Sequence, residues 1–518
     1  MDGPSSPPPR AGRREWIGLG VIALPCLLYS MDLTVLNLAV PALSADLKPT
    51  STQLLWIIDI YGFFVAGSLI TMGTLGDRIG RRRLLLIGAI AFGIASVLAA
   101  FSTSAVMLIA TRAALGLAGA TLAPSTMSLI RNMFLDPRQR ALAIGIWVSS
   151  FSAGAVIGPP LGGVLLEYFW WGSVFLISVP MMVLVLILGP LLLPEFRDER
   201  AGRPDLISAV LSVAAVLSVI YGLKQIAVHG VGWLPLGVIG TGGAVGLAFV
   251  RRQRRLADPL IDLRLFRERA FSASLATYLL ATFAVFGPYV FIAQYLQLVL
   301  GLSPLRAGLW SIPFALGFVV GSMVSPILAR RIRPASLMTP GLIAAAAGLV
   351  LLTQVGGAGS LAVIVTSTTV FSLGLSPVFT LANDIIIGTA PPERAGAAAG
   401  ISETCSEFGG ALGIAILGSI GTAIYRGTMA STVPEGVPVA LAEGARDTLG
   451  GALAAARALP ELGAPLLEAA RLAFTSGLRV TAAVSALIVV ATAVLVARSL
   501  RHVRPASAPD ERVPELQH

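Results

Sequence analysis

The chain is predicted to be an all-α integral membrane protein, and three observations carry that reading. Apolar runs of about twenty residues, the length a helix needs to cross hydrocarbon, recur from end to end. Charged residues make up 12% of the 518 residues and hydrophobic ones 55%, with a mean hydropathy of +0.83. Arginines gather in alternate gaps between the runs. A soluble domain carries about twice that charge fraction, so lipid must be the main solvent here.

Fourteen spans are predicted, near 16–40, 53–74, 84–102, 106–130, 141–165, 172–193, 205–225, 231–250, 271–299, 306–329, 336–354, 359–389, 396–425 and 474–498. Glycine and proline inside them are ordinary, because neighbouring helices satisfy the freed backbone groups. Arginine clusters at Arg10–Arg14, Arg78–Arg83, Arg131–Arg140, Arg197–Arg203, Arg251–Arg269, Arg330–Arg333, Arg394 and Arg498–Arg504 mark both termini and every second loop. Basic loops stay in the cytoplasm, so both ends are expected inside. The net charge of +10 is therefore read as a topology signal and not as a nucleic-acid face.

Residues 1–15 are expected to be disordered, and the run after them lacks a small-x-small cleavage site, so it is taken as an uncleaved first span. Cys26 and Cys405 both lie in apolar runs and form neither a disulfide framework nor a zinc pattern. A phosphate-binding Gly-Lys loop is absent, since Lys48 and Lys224, the two lysines, each follow leucine. No ATP use, metal or enzymatic triad is expected.

The chain divides into a six-helix half at 16–200, two inserted spans and a basic loop at 201–270, and a second six-helix half at 271–500, followed by a disordered tail at 501–518. The turn at Gly76–Arg83 recurs faintly as Ala329–Arg333. Paired halves around a central site are usual in secondary transporters. The basic loop 251–270 is expected to hold a short interfacial helix. The long outer segment 427–473 contains Ala-Leu-Ala-Glu-Gly-Ala-Arg and Leu-Leu-Glu-Ala-Ala-Arg-Leu, which read as two short amphipathic helices.

Four motifs carry a resemblance. Gly73-Thr-Leu-Gly-Asp-Arg-Ile-Gly-Arg-Arg-Arg83 is similar to the loop signature of the major facilitator superfamily. Gly154-Ala-Val-Ile-Gly-Pro-Pro-Leu-Gly-Gly163 resembles its fifth-helix antiporter signature. Asp32-Leu-Thr-Val-Leu-Asn-Leu-Ala-Val-Pro41 resembles the first-helix motif of the fourteen-helix drug/proton antiporters, and Glu403 to Glu407 with the following glycines resembles their thirteenth helix. The resemblance covers nearly the whole chain. It implies two six-helix bundles plus two inserted helices in a bacterial cytoplasmic membrane. It also implies a monomeric exporter of lipophilic cationic drugs, driven by a proton gradient without a bound cofactor.

The residues support separate roles. Gly76 and Gly80 permit a tight turn beside Asp77, Arg78, Arg81 and Arg82, a loop the family uses as a latch between helix ends. Gly154, Gly158, Gly162 and Gly163 strip one helix stripe of side chains, and Pro159 is able to bend it. Glu403 and Glu407 are four residues apart and share a face. Close carboxylates resist joint ionisation, so this pair is expected to exchange a proton for a cation. Asp32 is the first candidate for proton coupling, with Arg112 its partner or that of Asp59. Asp384 near a cytoplasmic helix end, and Trp56, Tyr61 and Phe408 near the acids, are candidate substrate contacts. Some family members carry a further acid in the tenth span for divalent drugs. None lies between Arg306 and Arg330 here, which implies monovalent substrates. The alternatives are a dedicated exporter of one natural product and a receptor that does not transport.

Overall fold

The computed structural model describes residues 10–197, 205–256, 259, 263–356, 359–389 and 395–503. Most of the expected end segments, Asp258, Asp262, Arg394 and the side chain of Asp77 lie outside that description. Among the described residues, fourteen helical stretches are long and apolar enough to span a membrane.

The first half comprises α1 (Arg13–Leu47), α2 (Ser51–Ile79), α3 (Arg81–Ala100), α4 (Ala105–Met133), α5 (Pro137–Tyr168) and a sixth span broken into α6 (Ser173–Leu176) and α7 (Ser178–Leu192). The inserted pair is α8 (Leu206–His229) and α9 (Trp233–Arg255). The second half comprises α10 (Arg269–Gln294), continued by a π turn at Tyr295–Val299, then α11 (Pro304–Leu309), α12 (Ile312–Ala329), α13 (Pro334–Leu352), α14 (Ser360–Thr389) and α15 (Ala395–Thr432). Two short outer helices, α16 (Val439–Asp447) and α17 (Leu449–Arg457), precede the last span, α18 (Gly463–Ser499).

Within the first half α1 packs on α5 and α2 on α4; within the second, α10 packs on α15 and α13 on α14. The halves meet along α2 against α15 and α5 against α11. The glycine stripe explains both α5 contacts. A side chain at Gly154, Gly158 or Gly162 would strike α1 at Leu27, Thr34 or Val35. One at Gly163 would strike Pro304 and Leu305 of the other half. Backbones approach closely where side chains are missing, which is how membrane helices gain packing energy.

The outer side is closed. Gln297 Nε2 donates to Leu38 O (2.9 Å), Arg426 Nη1 to Ser51 Oγ (3.2 Å) and the Leu305 amide to Glu167 Oε2 (3.5 Å), each joining one half to the other near its outer end. Above them α16 and α17 form a cap. Tyr425 donates to Ala445 O (2.6 Å), and Arg426 also pairs with Asp447 (3.2 Å).

Among the described residues between Arg251 and Ala270, α9 extends to Arg255 and a 3-10 turn forms at Leu265–Arg267; the rest of the expected interfacial helix, at 257–258 and 260–262, lies outside the described residues. Two expectations are corrected. α1 begins at Arg13, inside the tail assigned to disorder. In the outer segment Val439–Asp447 is a short helix, but Leu466–Leu472 belongs to the start of α18, and the second short helix is Leu449–Arg457. A helix already nucleated by the apolar span extends at little cost per residue, whereas a separate short one must nucleate again.

The arginine turn is one residue long. Gly80 adopts φ +112, a conformation glycine takes without strain, and any Cβ there would strike Glu195. Arg82 pairs with Glu195 (3.5 Å) and donates to Leu193 O (3.0 Å), while the Arg81 amide donates to Phe196 O (2.9 Å). These partners all belong to the first half, at the cytoplasmic end of α7.

Candidate functional site

The buried acids of the first half each have their own cation. Arg112, on α4 and 1% exposed, places Nη1 2.5 Å from Asp32 Oδ2 on α1. Its Nε donates to Ile57 O (3.2 Å), and its guanidinium lies 4.7 Å from the Tyr61 ring centroid. Arginine suits this position because its planar fork serves several acceptors at once and stacks on an aromatic face. One side chain thus ties α1, α2 and α4 together. Asp32 borders a small cavity formed with Phe92, Phe175 and Ser178, inside the first half.

Asp59 has a different partner. Its Oδ2 lies 2.7 Å from Nζ of Lys224, on the inserted helix α8, and both side chains are at most 1% exposed. The Lys224 ammonium also lies 3.7 Å from the Trp56 ring centroid. Of the two acids weighed as partners of Arg112, Asp32 is the one that pairs with it, and Asp59 pairs with Lys224. Trp56 and Asp59 are three residues apart and share one helix face, which here is turned to α8. At the cytoplasmic end of the insertion Asp205 accepts from the Ser208 amide (3.1 Å) and pairs with Arg252 of α9 (3.0 Å). Burial works to raise the Asp205 carboxyl, yet its hydrogen bonds from Arg252 and Ser208 outweigh that and hold it below the usual range.

Glu403, Glu407 and Asp384 of the second half have no basic partner among the described residues. Glu407 lines a cleft where α2, α10 and α15 meet, with Asp59, Gly62, Thr282, Phe286 and Ser406. The Tyr29 hydroxyl of α1 approaches it, and Glu403, one turn nearer the cytoplasm, is within electrostatic reach of Glu407, Cys26 and Tyr278. The two glutamates thus stand between the halves. Asp384 is exposed near the cytoplasmic end of α14, apart from this cleft; its neighbour Asn383 accepts from Ser402 Oγ (2.8 Å).

Of the aromatics singled out, Tyr61 is fully buried between Arg112 and Tyr29, with ring centroids 6.0 Å apart in the latter pair. Trp56 and Phe408 pack in the seam with Phe63 and Ile220, where α8 covers α2 and α15. The aromatic in the cleft wall is instead Phe286. Lys224 and Tyr29 are the neighbours that sequence reasoning missed. For Lys224 a signal existed, because a lysine inside an apolar span is costly unless paired.

The comparisons with known proteins agree with this architecture. The family model described as Major Facilitator Superfamily matches residues 22–414. The chain is 43% identical to the multidrug efflux pump LfrA of Mycolicibacterium smegmatis, covering 95% of this chain and 97% of that one. It is 36% identical to the methyl viologen resistance protein SmvA of Salmonella typhimurium, over 89% and 93% of the two chains. It is 32% identical to the tetracenomycin C resistance and export protein of Streptomyces glaucescens, over 97% and 94%. Among solved structures, a bacterial homologue of the human lysosomal transporter Spinster, in an inward-facing and unoccupied conformation, shares the fold. Its TM-score is 0.67 at 18% identity, covering 95% of this chain and 98% of that one. Fourteen spans in two packed halves, a family model across most of the length and relatives aligned end to end lead to one conclusion: the chain belongs to the major facilitator superfamily of membrane transporters.

Proposed function

We propose that the chain is a proton-coupled exporter of lipophilic organic cations, working as a monomer in the bacterial cytoplasmic membrane. The observation that carries this reading is the pair Glu403 and Glu407, set between the halves without a basic partner among the described residues. Carboxylates in a poorly hydrated site are stabilised either by a proton or by a bound cation. Taking up one therefore favours losing the other, and this exchange is antiport at the level of one site. Glu407 is the substrate carboxylate of this scheme and Glu403 its neighbour. Asp32 is the coupling acid: a proton on it would weaken its pair with Arg112 and loosen the joint between α1, α2 and α4. Asp384, at the cytoplasmic end, is an entry contact. The relatives named for multidrug efflux and methyl viologen resistance support the substrate class.

Reconstituted vesicles carrying a pH gradient and an internal pH dye test the reading. Adding ethidium should release protons down the gradient, and Asp32→Asn should abolish that release. The proposal fails if wild type moves no protons on drug addition.

A second reading, a dedicated exporter of one natural product, has one observation behind it: the similarity to a protein named for tetracenomycin C resistance and export. A susceptibility screen over dyes, biocides and antibiotics separates the two, since a dedicated exporter protects against one compound class only.

A further inference from the structure

Chemistry suited to an organic cation is found twice in this molecule, and in one place it is already filled. Trp56 and Asp59 present an aromatic face and a carboxylate from one side of α2. The ammonium of Lys224 sits on both, 3.7 Å from the ring centroid and 2.7 Å from Oδ2. Aromatic faces attract cations through the ring quadrupole, more strongly when water is excluded. Among the described residues Lys224 reaches this site with a single carboxylate contact, to Asp59 Oδ2, and no other polar contact, and Asp59 Oδ1 is left without a hydrogen-bond partner. A buried ammonium with three donors and one carboxylate partner carries a desolvation penalty that its pairing offsets only in part. Asp59 also lines the same cleft as Glu407, so the filled site and the open one share a wall.

We propose that Trp56 and Asp59 form a cation site occupied by the protein's own Lys224, and that a cationic substrate entering the cleft beside Glu407 displaces this tethered amine. The inference rests on the reading of the chain as a cation exporter. It gives the inserted helix α8 a direct part in recognition. Displacing the tethered ammonium costs part of its pairing with Asp59, and a second substrate charge brought to Asp59 meets that ammonium as a like charge. Lys224 is on this account a specificity-determining residue that favours monovalent over divalent cations.

The chain has two lysines, Lys48 and Lys224, so labelling with ¹⁵N-lysine yields two ammonium signals. In purified full-length protein the Lys48→Arg variant assigns the remaining one to Lys224. Titration with tetraphenylphosphonium, followed in parallel by displacement of bound ethidium, should move the Lys224 signal in step with occupancy. Phosphonium binding with a stationary Lys224 signal overturns this inference and leaves the exporter reading standing. Failure of wild type to bind either cation removes both. The second arm compares methyl viologen with tetraphenylphosphonium. Lys224→Met should raise relative affinity for the dication by about tenfold, the scale of one charge-assisted contact. Adding Asp59→Asn should return the ratio to that of wild type. An unchanged ratio in Lys224→Met, or one that Asp59→Asn leaves shifted, contradicts the proposal. If Lys224→Met alone does not fold, the signal titration decides.

Discussion

The two halves treat buried charge in opposite ways. In the first half Asp32 is matched by Arg112, and Asp59 is matched by Lys224 from the inserted helix. In the second half Glu407 faces the cleft, Glu403 lies one turn away on the same helix face, and neither has a cation partner among the described residues. A matched acid holds helices together, and removing its partner leaves an uncompensated charge in low dielectric. An unmatched acid is free to take a proton or a substrate. Under the proposed function, stability and coupling belong to the first half and exchange to the second.

The largest expected effect breaks the matched side. Arg112→Met should lower thermal stability in detergent strongly, by about 3–5 kcal/mol, because Asp32 is left unpaired. Adding Asp32→Asn should restore most of the loss, and thermal unfolding of the single and double variants checks both. The unmatched side should respond in the other manner. Glu407→Gln should leave the unfolding temperature close to that of wild type while weakening ethidium binding by about 1.5–3 kcal/mol, the range for a hydrogen bond to a charged group. If Glu407→Gln unfolds as readily as Arg112→Met, the distinction between the halves is wrong.

A smaller effect is expected at the cytoplasmic turn. Gly80→Ala forces an L-residue into positive φ and pushes on Glu195, at a cost of about 1–3 kcal/mol. The expected readout is a lower yield of folded protein, with substrate affinity in the folded fraction unchanged. The smallest effect belongs to the outer cap. Arg426 and Asp447 are each about one-third exposed, and pairs of this kind contribute about 0–1 kcal/mol. Asp447→Asn should barely change stability, and thermal unfolding is again the check.

Much of this was legible in the sequence. Span number and orientation follow from run length and arginine placement, because hydrocarbon thickness and the positive-inside bias act on local segments. The shared face of Glu403 and Glu407 follows from helical periodicity alone. The partner of Asp59 was not legible, because Arg112 and Lys224 both lie in apolar spans and spacing along one helix says nothing of which neighbour packs against it. The same limit applies to Trp56: it was read as a cavity wall from its closeness to Asp59, and the structure turns that shared face toward α8. The start of α18 was hidden for another reason, since Leu466–Leu472 lies beyond the apolar run that marked the span.

The central claim is that the α15 glutamates exchange a proton for a cation, and counting protons on binding tests it most directly. Tetraphenylphosphonium binding to purified protein can be measured by calorimetry in two buffers of different ionisation enthalpy. The account predicts that wild type releases protons on binding and that Glu407→Gln releases measurably fewer. Equal heats in both buffers for wild type, with binding intact, would contradict it.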